Sequence, residues 1–259
     1  MPTKTPTQSD FPSHLTVTLT PPPPSSSASL TSRPPPNILI LLHGLGDSAP
    51  AFTSFARALN LPETLIVTLQ APNRLPLDLP GFHWGDDISF DTSTGGLDMD
   101  AGFAGATNVL VNEVLRDTLL RKCGYRAREI LLLGFGQGGM LGLLGVREFA
   151  KTQQGQGDGD GSALAGVIVI GAPYPLSGST VGEKNRTPVL LVAGRESAAV
   201  TDGAVRRTKQ VFEFVEVQRY ARRDDGMPRN RDEMMPVMQF FARRLRSWQG
   251  VPEGSVEIS

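Results

Sequence analysis

The chain has 259 residues, of which 39% are hydrophobic, and this length suits one large α/β domain. A formal net charge of −1 and a pI near 6.3 argue against nucleic acid or an anionic membrane as the main partner. The single cysteine, Cys123, excludes an internal disulfide.

Neither a signal peptide nor a membrane span is evident in the sequence. The first residues lack an apolar core, and the longest apolar run, Ile38 to Leu42, is far too short to cross a bilayer. One cysteine also favours a reducing compartment. We therefore predict no transmembrane segment and a cytoplasmic location, with the nucleus as an open alternative.

The N-terminal part divides into three predicted segments. Residues 1–13 are expected to be disordered. Within residues 14–20, Leu15, Val17 and Leu19 alternate with threonines, which is the pattern of a half-buried strand. Residues 21–36 are mostly proline and serine, so a flexible insert is predicted, with a proline-recognition role as the alternative.

Apolar runs and helical patterns then alternate along the chain. This alternation predicts an α/β fold with a mainly parallel sheet and helices on both faces. The domain is expected to span residues 37–248, with a flexible tail over residues 249–259. The predicted strands are residues 37–42, 64–69, 130–135, 165–171, 187–193 and 212–217, and the predicted helices are residues 51–59, 98–124, 137–151 and 232–248, with Asp98 as an N-cap.

The stretch Ile130 to Met140 carries the most specific local signal. It runs from an apolar strand through a glycine-rich corner into a helix, which is the setting of the nucleophile elbow G-x-S-x-G. Here Gly136 stands where that motif has serine, between Gly134 and Gly138. The motif therefore lacks its nucleophilic side chain.

Several motifs resemble the acyl-protein thioesterase, or small carboxylesterase and phospholipase, branch of the α/β-hydrolases. Leu42 to Asp47 resembles its L-H-G-L-G-D strand end, and Gly134 to Gly139 resembles its G-F-S-Q-G-G elbow with one change. Phe82 to Asp86 resembles its W-x-D loop, and Asp232 to Leu245 resembles its last helix. The resemblance implies an α/β-hydrolase fold, serine-dependent hydrolysis of carboxylic esters or thioesters, and no cofactor.

The resemblance also assigns the positions of a catalytic triad. The nucleophile position is Gly136, the acid position is Ser197, and the base position falls on Met227 or Pro228. No histidine is present after residue 83. Nucleophile, acid and base are therefore all predicted to be absent, so no catalytic residue is expected.

The resemblance further implies two backbone donors of an oxyanion hole, the N–H groups of Leu45 and Gln137. Because these donors are backbone groups, replacing serine by glycine leaves them in place. Two loops are expected to surround them. The first loop contributes His43, Gly44, Gly46 and Asp47, and the second loop contributes His83, Trp84 and Asp86.

A metal site is the alternative interpretation of the second loop. His83, Asp86, Asp87 and Asp91 lie within nine residues, yet their spacing matches no metal-binding pattern. We therefore predict a capped, solvated loop and no metal.

Two functions follow from these assignments. The first is a pseudo-hydrolase that binds an acyl or carboxyl-bearing ligand, or a protein partner, without turnover. The second is an active ester or thioester hydrolase that uses other groups, for example His83 or Glu196. Activity on a short-chain ester distinguishes the two.

Overall fold

The computed structural model describes residues 2–24, 33–90, 95–153 and 163–251, and the side chains of residues 152 and 153 are outside this description. The strands in these ranges are β1 Val17–Thr20, β2 Asn37–Leu42, β3 Thr64–Leu69, β4 Asn73–Arg74, β5 Phe82–His83, β6 Ile130–Phe135, β7 Gly166–Ile170, β8 Val189–Ala193 and β9 Val215–Arg219. Seven of them form one sheet in the order β1-β3-β2-β6-β7-β8-β9, and β4 pairs with β5 separately. Only β1 is antiparallel to its neighbour in the large sheet. The predicted mainly parallel sheet is confirmed.

Helices cover both faces of the sheet. The helices in the described ranges are α1 Ala49–Leu59, α2 Ala104–Asn108 with its π-helical continuation Val109–Lys122, α3 Gln137–Gln153, α4 Asp202–Val211 and α5 Arg231–Arg244, together with 3-10 turns at Gln8–Asp10 and Ala127–Glu129. No helix in these ranges is long and apolar enough to cross a membrane.

Strand β2 explains how the two layers are built. All six of its residues are buried, and successive side chains of a strand point to opposite faces of a sheet. Ile38, Ile40 and Leu42 pack in the core beneath α2 and α3. Leu39 and Leu41 pack in the opposite core beneath α1 and α5. A continuous apolar strand is therefore required at this central position.

The helix predicted to start at Asp98 begins instead at Ala104. Asp98 accepts the N–H of Asp100 within a turn, at 2.9 Å, rather than capping the helix. The first N–H groups of α2 donate to the Asp86 carboxylate, at 2.6 Å from Ala104 and 2.8 Å from Gly105. The cap comes from a residue distant in sequence, which explains why the local pattern predicted the wrong start.

The predicted disorder of residues 1–13 needs a correction for the described residues 2–13. The N–H of Lys4 donates to the carbonyl of Cys123 at 2.9 Å, at the end of the long π-helical segment. Asp10 and Phe11 are both buried. The N-terminal segment is therefore a strap that packs on the domain.

The Asp10 carboxylate holds this strap in place. Burial alone would raise its pKa, but hydrogen bonds from Lys4 and from both the N–H and hydroxyl of Thr7, with the Lys122 ammonium nearby, outweigh that effect and hold the pKa well below its usual range. The lowered pKa stabilises the fold above the ordinary carboxyl pKa near 3.8, and this stabilisation is lost as the pH falls further.

We expect Asp10→Asn to lower the free energy of unfolding by about 2 kcal/mol at pH 7, because it removes charge-assisted hydrogen bonds at a buried site. Asp117→Asn is the matched control, since Asp117 is half exposed and pairs with Arg121 on the same helix. That change should cost less than about 0.5 kcal/mol. Urea unfolding at pH 7 and pH 3 tests this prediction. If Asp10→Asn lowers the free energy of unfolding by the same amount at both pH values, the lowered pKa of Asp10 is contradicted.

The flanks of the proline-rich insert also make contacts. The indole N–H of Trp248 donates to the carbonyl of Pro34 at 3.2 Å, and the Tyr125 hydroxyl donates to the carbonyl of Pro35 at 3.0 Å. The prediction of a flexible insert is therefore corrected at these residues, whereas residues 25–32 lie outside the described residues. The predicted tail over residues 249–259 is described only as far as residue 251.

Candidate functional site

The elbow turn lies between the end of β6 and the start of α3. Gly136 has a φ of +52°, the left-handed conformation that glycine adopts without strain. Its N–H donates to the carbonyl of Ile170 at 2.9 Å, and its carbonyl accepts the N–H of Gly139 at 2.9 Å. The sharp strand-to-helix turn of a nucleophile elbow is therefore present, and no side chain projects from its apex.

The glycines on either side of Gly136 allow the helix to start against the sheet. A Cβ on Gly138 would lie 2.4 Å from the carbonyl oxygens of Leu42 and His43. A Cβ on Gly134 would lie 2.5 Å from backbone atoms of Gly138. The spacing of these glycines is thus a packing requirement that is independent of catalysis.

Met99 lies directly above the elbow. Its Cε is 3.2 Å from the position that a Cβ on Gly136 would take. The loop that carries Met99 is anchored where the Asp100 carboxylate accepts the N–H of Ser177 at 3.0 Å and also its hydroxyl. The end of a flexible thioether side chain therefore covers the apex of the turn.

Of the two predicted oxyanion donors, Gln137 directly follows the apex and Leu45 lies in the loop after β2. Among the residues that the structure describes, the backbone N–H groups of Leu45 and Gln137 donate no hydrogen bond. The side chain of Gln137 is buried and accepts the N–H of Trp84 at 2.7 Å, which ties the second loop to the elbow. Both N–H groups remain available to a ligand oxygen.

His43 is a structural residue in this site. Its Nδ1 donates to the carbonyl of Gly44 at 2.8 Å, so its Nε2 is the acceptor for the N–H of Ala71 at 3.0 Å and for the amide of Gln70 at 2.9 Å. Burial lowers the pKa of the imidazole. The neutral ring is thus engaged at both nitrogens and is not available as a base.

The remaining residues of the first loop fix its shape. The N–H of Gly46 donates to the carbonyl of Phe82 at 2.9 Å, and the N–H of Phe82 donates to the carbonyl of Asp47 at 3.0 Å. Gly44 leaves room for the Phe135 ring, which would lie 2.7 Å from a Cβ there. The first loop and the second loop are therefore joined directly.

The polar residues of the second loop differ in their surroundings. Asp86 caps α2 through both carboxylate oxygens. His83 is buried, its Nδ1 has no partner among the described residues, and burial lowers the pKa of its imidazole. No group of three potential metal ligands occurs in the described ranges, and Asp91 lies outside them.

The acid position carries a hydrogen-bonded pair that the sequence did not predict. The Ser197 hydroxyl donates to Oδ2 of Asp225 at 2.7 Å, and the Asp225 Oδ1 accepts the N–H of Gly194 at 2.8 Å. The Asp225 Cβ is 3.2 Å from the position of a Cβ on Gly171, the residue after Ile170, whose carbonyl binds Gly136. Asp225 therefore contacts both Ser197 at the acid position and the backbone beside the elbow.

Met227, the predicted base position, lies elsewhere in the same loop. Its side chain is partly buried against the core beneath α1 and α5, and its carbonyl accepts the guanidinium of Arg222 at 3.0 Å. The predicted assignment of the base position to Met227 or Pro228 stays a prediction. The adjacent carboxyl groups of Asp224 and Asp225 were the only signal for this site in the sequence.

Glu196, next to the acid position in sequence, takes part in surface ion pairs. Its side chain is exposed and pairs with Arg223 at 3.3 Å and with Arg195 at 3.4 Å. Among the described residues, neither Glu196 nor His83 forms a side-chain hydrogen bond with Gly136, Ser197 or Asp225.

Comparison with known proteins identifies the family of the chain. The sequence profile of the phospholipase/carboxylesterase family matches residues 27–245, which is most of the chain. The chain belongs to this family. The match confirms the family resemblance that the strand-end motif and the elbow motif indicated.

Relatives of this phospholipase/carboxylesterase family member include an uncharacterized hydrolase of Schizosaccharomyces pombe, which is 29% identical over 214 residues, or 81% of this chain and 83% of that protein. The crystal structure of esterase PE8 matches with a TM-score of 0.67 at 18% identity, covering 89% of this chain and 99% of that one. Acyl-protein thioesterase 2 of Zea mays matches with a TM-score of 0.57 at 19% identity and the same coverage. At these identities the structural likeness establishes the α/β-hydrolase fold.

Proposed function

We propose that this phospholipase/carboxylesterase family member is a pseudo-hydrolase, which binds an acyl or other carbonyl-bearing ligand at the elbow and does not hydrolyse it. The observation that carries the proposal is Gly136 at the apex of an intact elbow turn. The fold retains the place for a nucleophile, and the residue there has no side-chain oxygen or sulfur.

The absent chemistry extends beyond the nucleophile. His43 is engaged at both ring nitrogens, and the position between Ser197 and the elbow holds a carboxylate rather than an imidazole. Removing nucleophile and base leaves only binding and the oxyanion hole, which in well-studied triads retain about 10³ to 10⁴-fold acceleration over water. Turnover by the family mechanism is expected to be negligible.

Binding is supported by the groups that remain. The N–H of Gln137 lies at the start of the long helix α3, whose N-terminal dipole favours a carbonyl or other oxygen. The N–H of Leu45 is a second donor without a partner among the described residues. The Gln137 side chain holds Trp84 at 2.7 Å and so keeps the second loop beside these donors. A carbonyl oxygen is the ligand group that suits this pair.

The test is hydrolysis of a chromogenic short-chain ester together with labelling by a fluorophosphonate probe. We expect no hydrolysis above that of heat-killed protein and no labelling, because Gly136 carries no side chain. Robust turnover that is abolished by His83→Ala or by Glu196→Ala contradicts the proposal and establishes a hydrolase with other catalytic groups.

A further inference from the structure

The carboxylate of Asp225 is hydrogen-bonded to Ser197 at the acid position, and its Cβ lies against Gly171 beside the elbow. An imidazole in that place can donate or accept a proton, whereas a carboxylate only accepts hydrogen bonds. The two environments therefore select different ligands. This reasoning rests on the proposed binding of a carbonyl group at the elbow.

Asp225 is held firmly in its orientation. Its Oδ1 accepts the N–H of Gly194 at 2.8 Å, and its Oδ2 accepts the Ser197 hydroxyl at 2.7 Å. The oxygen of Ser197 also accepts the N–H of Val200 at 2.8 Å, which directs the hydroxyl proton toward Asp225. Two uncharged donors thus fix the orientation of the carboxylate.

Each oxygen of Asp225 retains capacity for another donor. A carboxylate oxygen accepts two hydrogen bonds, and each oxygen here has one partner among the described residues. The side chain is half-buried and reaches the elbow edge beside Gly171, whose φ of +73° and lack of a Cβ permit this close approach. The carboxylate therefore has unused lone pairs on a half-buried side chain at the edge of the elbow.

The arginines that precede Asp225 in the sequence pair with other carboxylates. Arg222 pairs with Asp224 and with Glu233, and Arg223 pairs with Glu196. The carboxylate of Asp225 is bound by neutral donors instead. A ligand donor at this place therefore meets a negatively charged acceptor.

We propose that Asp225 selects a secondary amide over an ester or thioester. With the carbonyl oxygen at the Leu45 and Gln137 N–H groups, the adjacent atom of an amide is an N–H, which donates to Asp225. In an ester or thioester that atom is an oxygen or sulfur, which directs lone pairs at the carboxylate. The ligand class is an N-acylated amine.

The test is calorimetric titration with two compounds of equal size, N-propylhexanamide and propyl hexanoate. We expect the amide to bind about tenfold more tightly, since a hydrogen bond to a charged acceptor at a half-buried site supports that difference. Asp225→Asn should remove the preference, because its amide group keeps the shape, carries no charge and offers a donor. Thermal melting of each variant verifies that it is folded.

Asp224→Asn is the matched control. It removes the same charge one residue away, from an exposed carboxylate that pairs with Arg222 and Arg229. The preference for the amide should persist in this variant. Equal binding of the two compounds by the unaltered protein, or a preference that survives Asp225→Asn, overturns the inference while leaving ligand binding established. Failure of both compounds to bind overturns the proposed function, and the inference with it.

Discussion

The triple variant Gly136→Ser, Ser197→Asp, Asp225→His is expected to gain fluorophosphonate labelling and measurable esterase activity. The serine restores the nucleophile, the histidine provides a base beside it, and the aspartate orients that base through the contact that Ser197 and Asp225 now make at 2.7 Å. Because a 1 Å placement error can cost about a hundredfold, the activity should be weak.

Returning a serine to the elbow has a structural cost. Gly136 has a φ of +52°, and a non-glycine residue in such a conformation costs about 1 kcal/mol. Its Cβ would also lie 3.2 Å from the Met99 Cε, the end of a flexible side chain that can move aside. We therefore expect the variant to fold.

The matched control replaces Asp225→His by Met227→His and keeps the other two changes. Since the Met227 side chain packs in the core beneath α1 and α5, a histidine there should not reach the serine. This control and every single variant should show no labelling. Labelling of the Met227 version alone would show that Asp225 is not the base position, and labelling of Gly136→Ser alone would show that another group activates the serine.

The second large effect is expected from Gly138→Ala. The added Cβ would lie 2.4 Å from two backbone carbonyl oxygens of β2 and the loop after it, and backbone atoms cannot move aside as a flexible side chain can. We expect the free energy of unfolding to fall by about 3 kcal/mol, which for a domain of this size lowers the melting temperature by roughly 10 °C.

Gly142→Ala on the same helix is the matched control. A Cβ there meets Leu42, Val167 and Leu132 at 3.6 to 3.8 Å, which is ordinary van der Waals contact. Alanine is the better helix former, so this change should be neutral or should stabilise by up to about 1 kcal/mol. Urea unfolding of both variants measures the contrast, and equal effects would mean that the helix does not approach β2 as closely as described.

The fold was predictable to a large extent because its signals are local. Strands β2 and β3 have the predicted limits, since a continuous apolar run buried on both faces begins and ends abruptly in composition. The elbow was also predictable, because a left-handed turn and two close backbone approaches require glycines at fixed spacing. The loss of the nucleophile at Gly136 follows from the same few residues.

The sequence by itself therefore determined the α/β architecture, the family and the absence of a side chain at the elbow. Only the tertiary structure decided which residues meet around it. The Asp86 cap joins residues 18 apart, and the pairing of Ser197 with Asp225 joins residues 28 apart. Such contacts depend on the path of irregular loops, where no periodic pattern constrains the backbone, so a residue count along the chain does not give them. Strands and tight turns are specified by neighbours in the chain, whereas the side chains that face a ligand are specified by the packing of the whole domain.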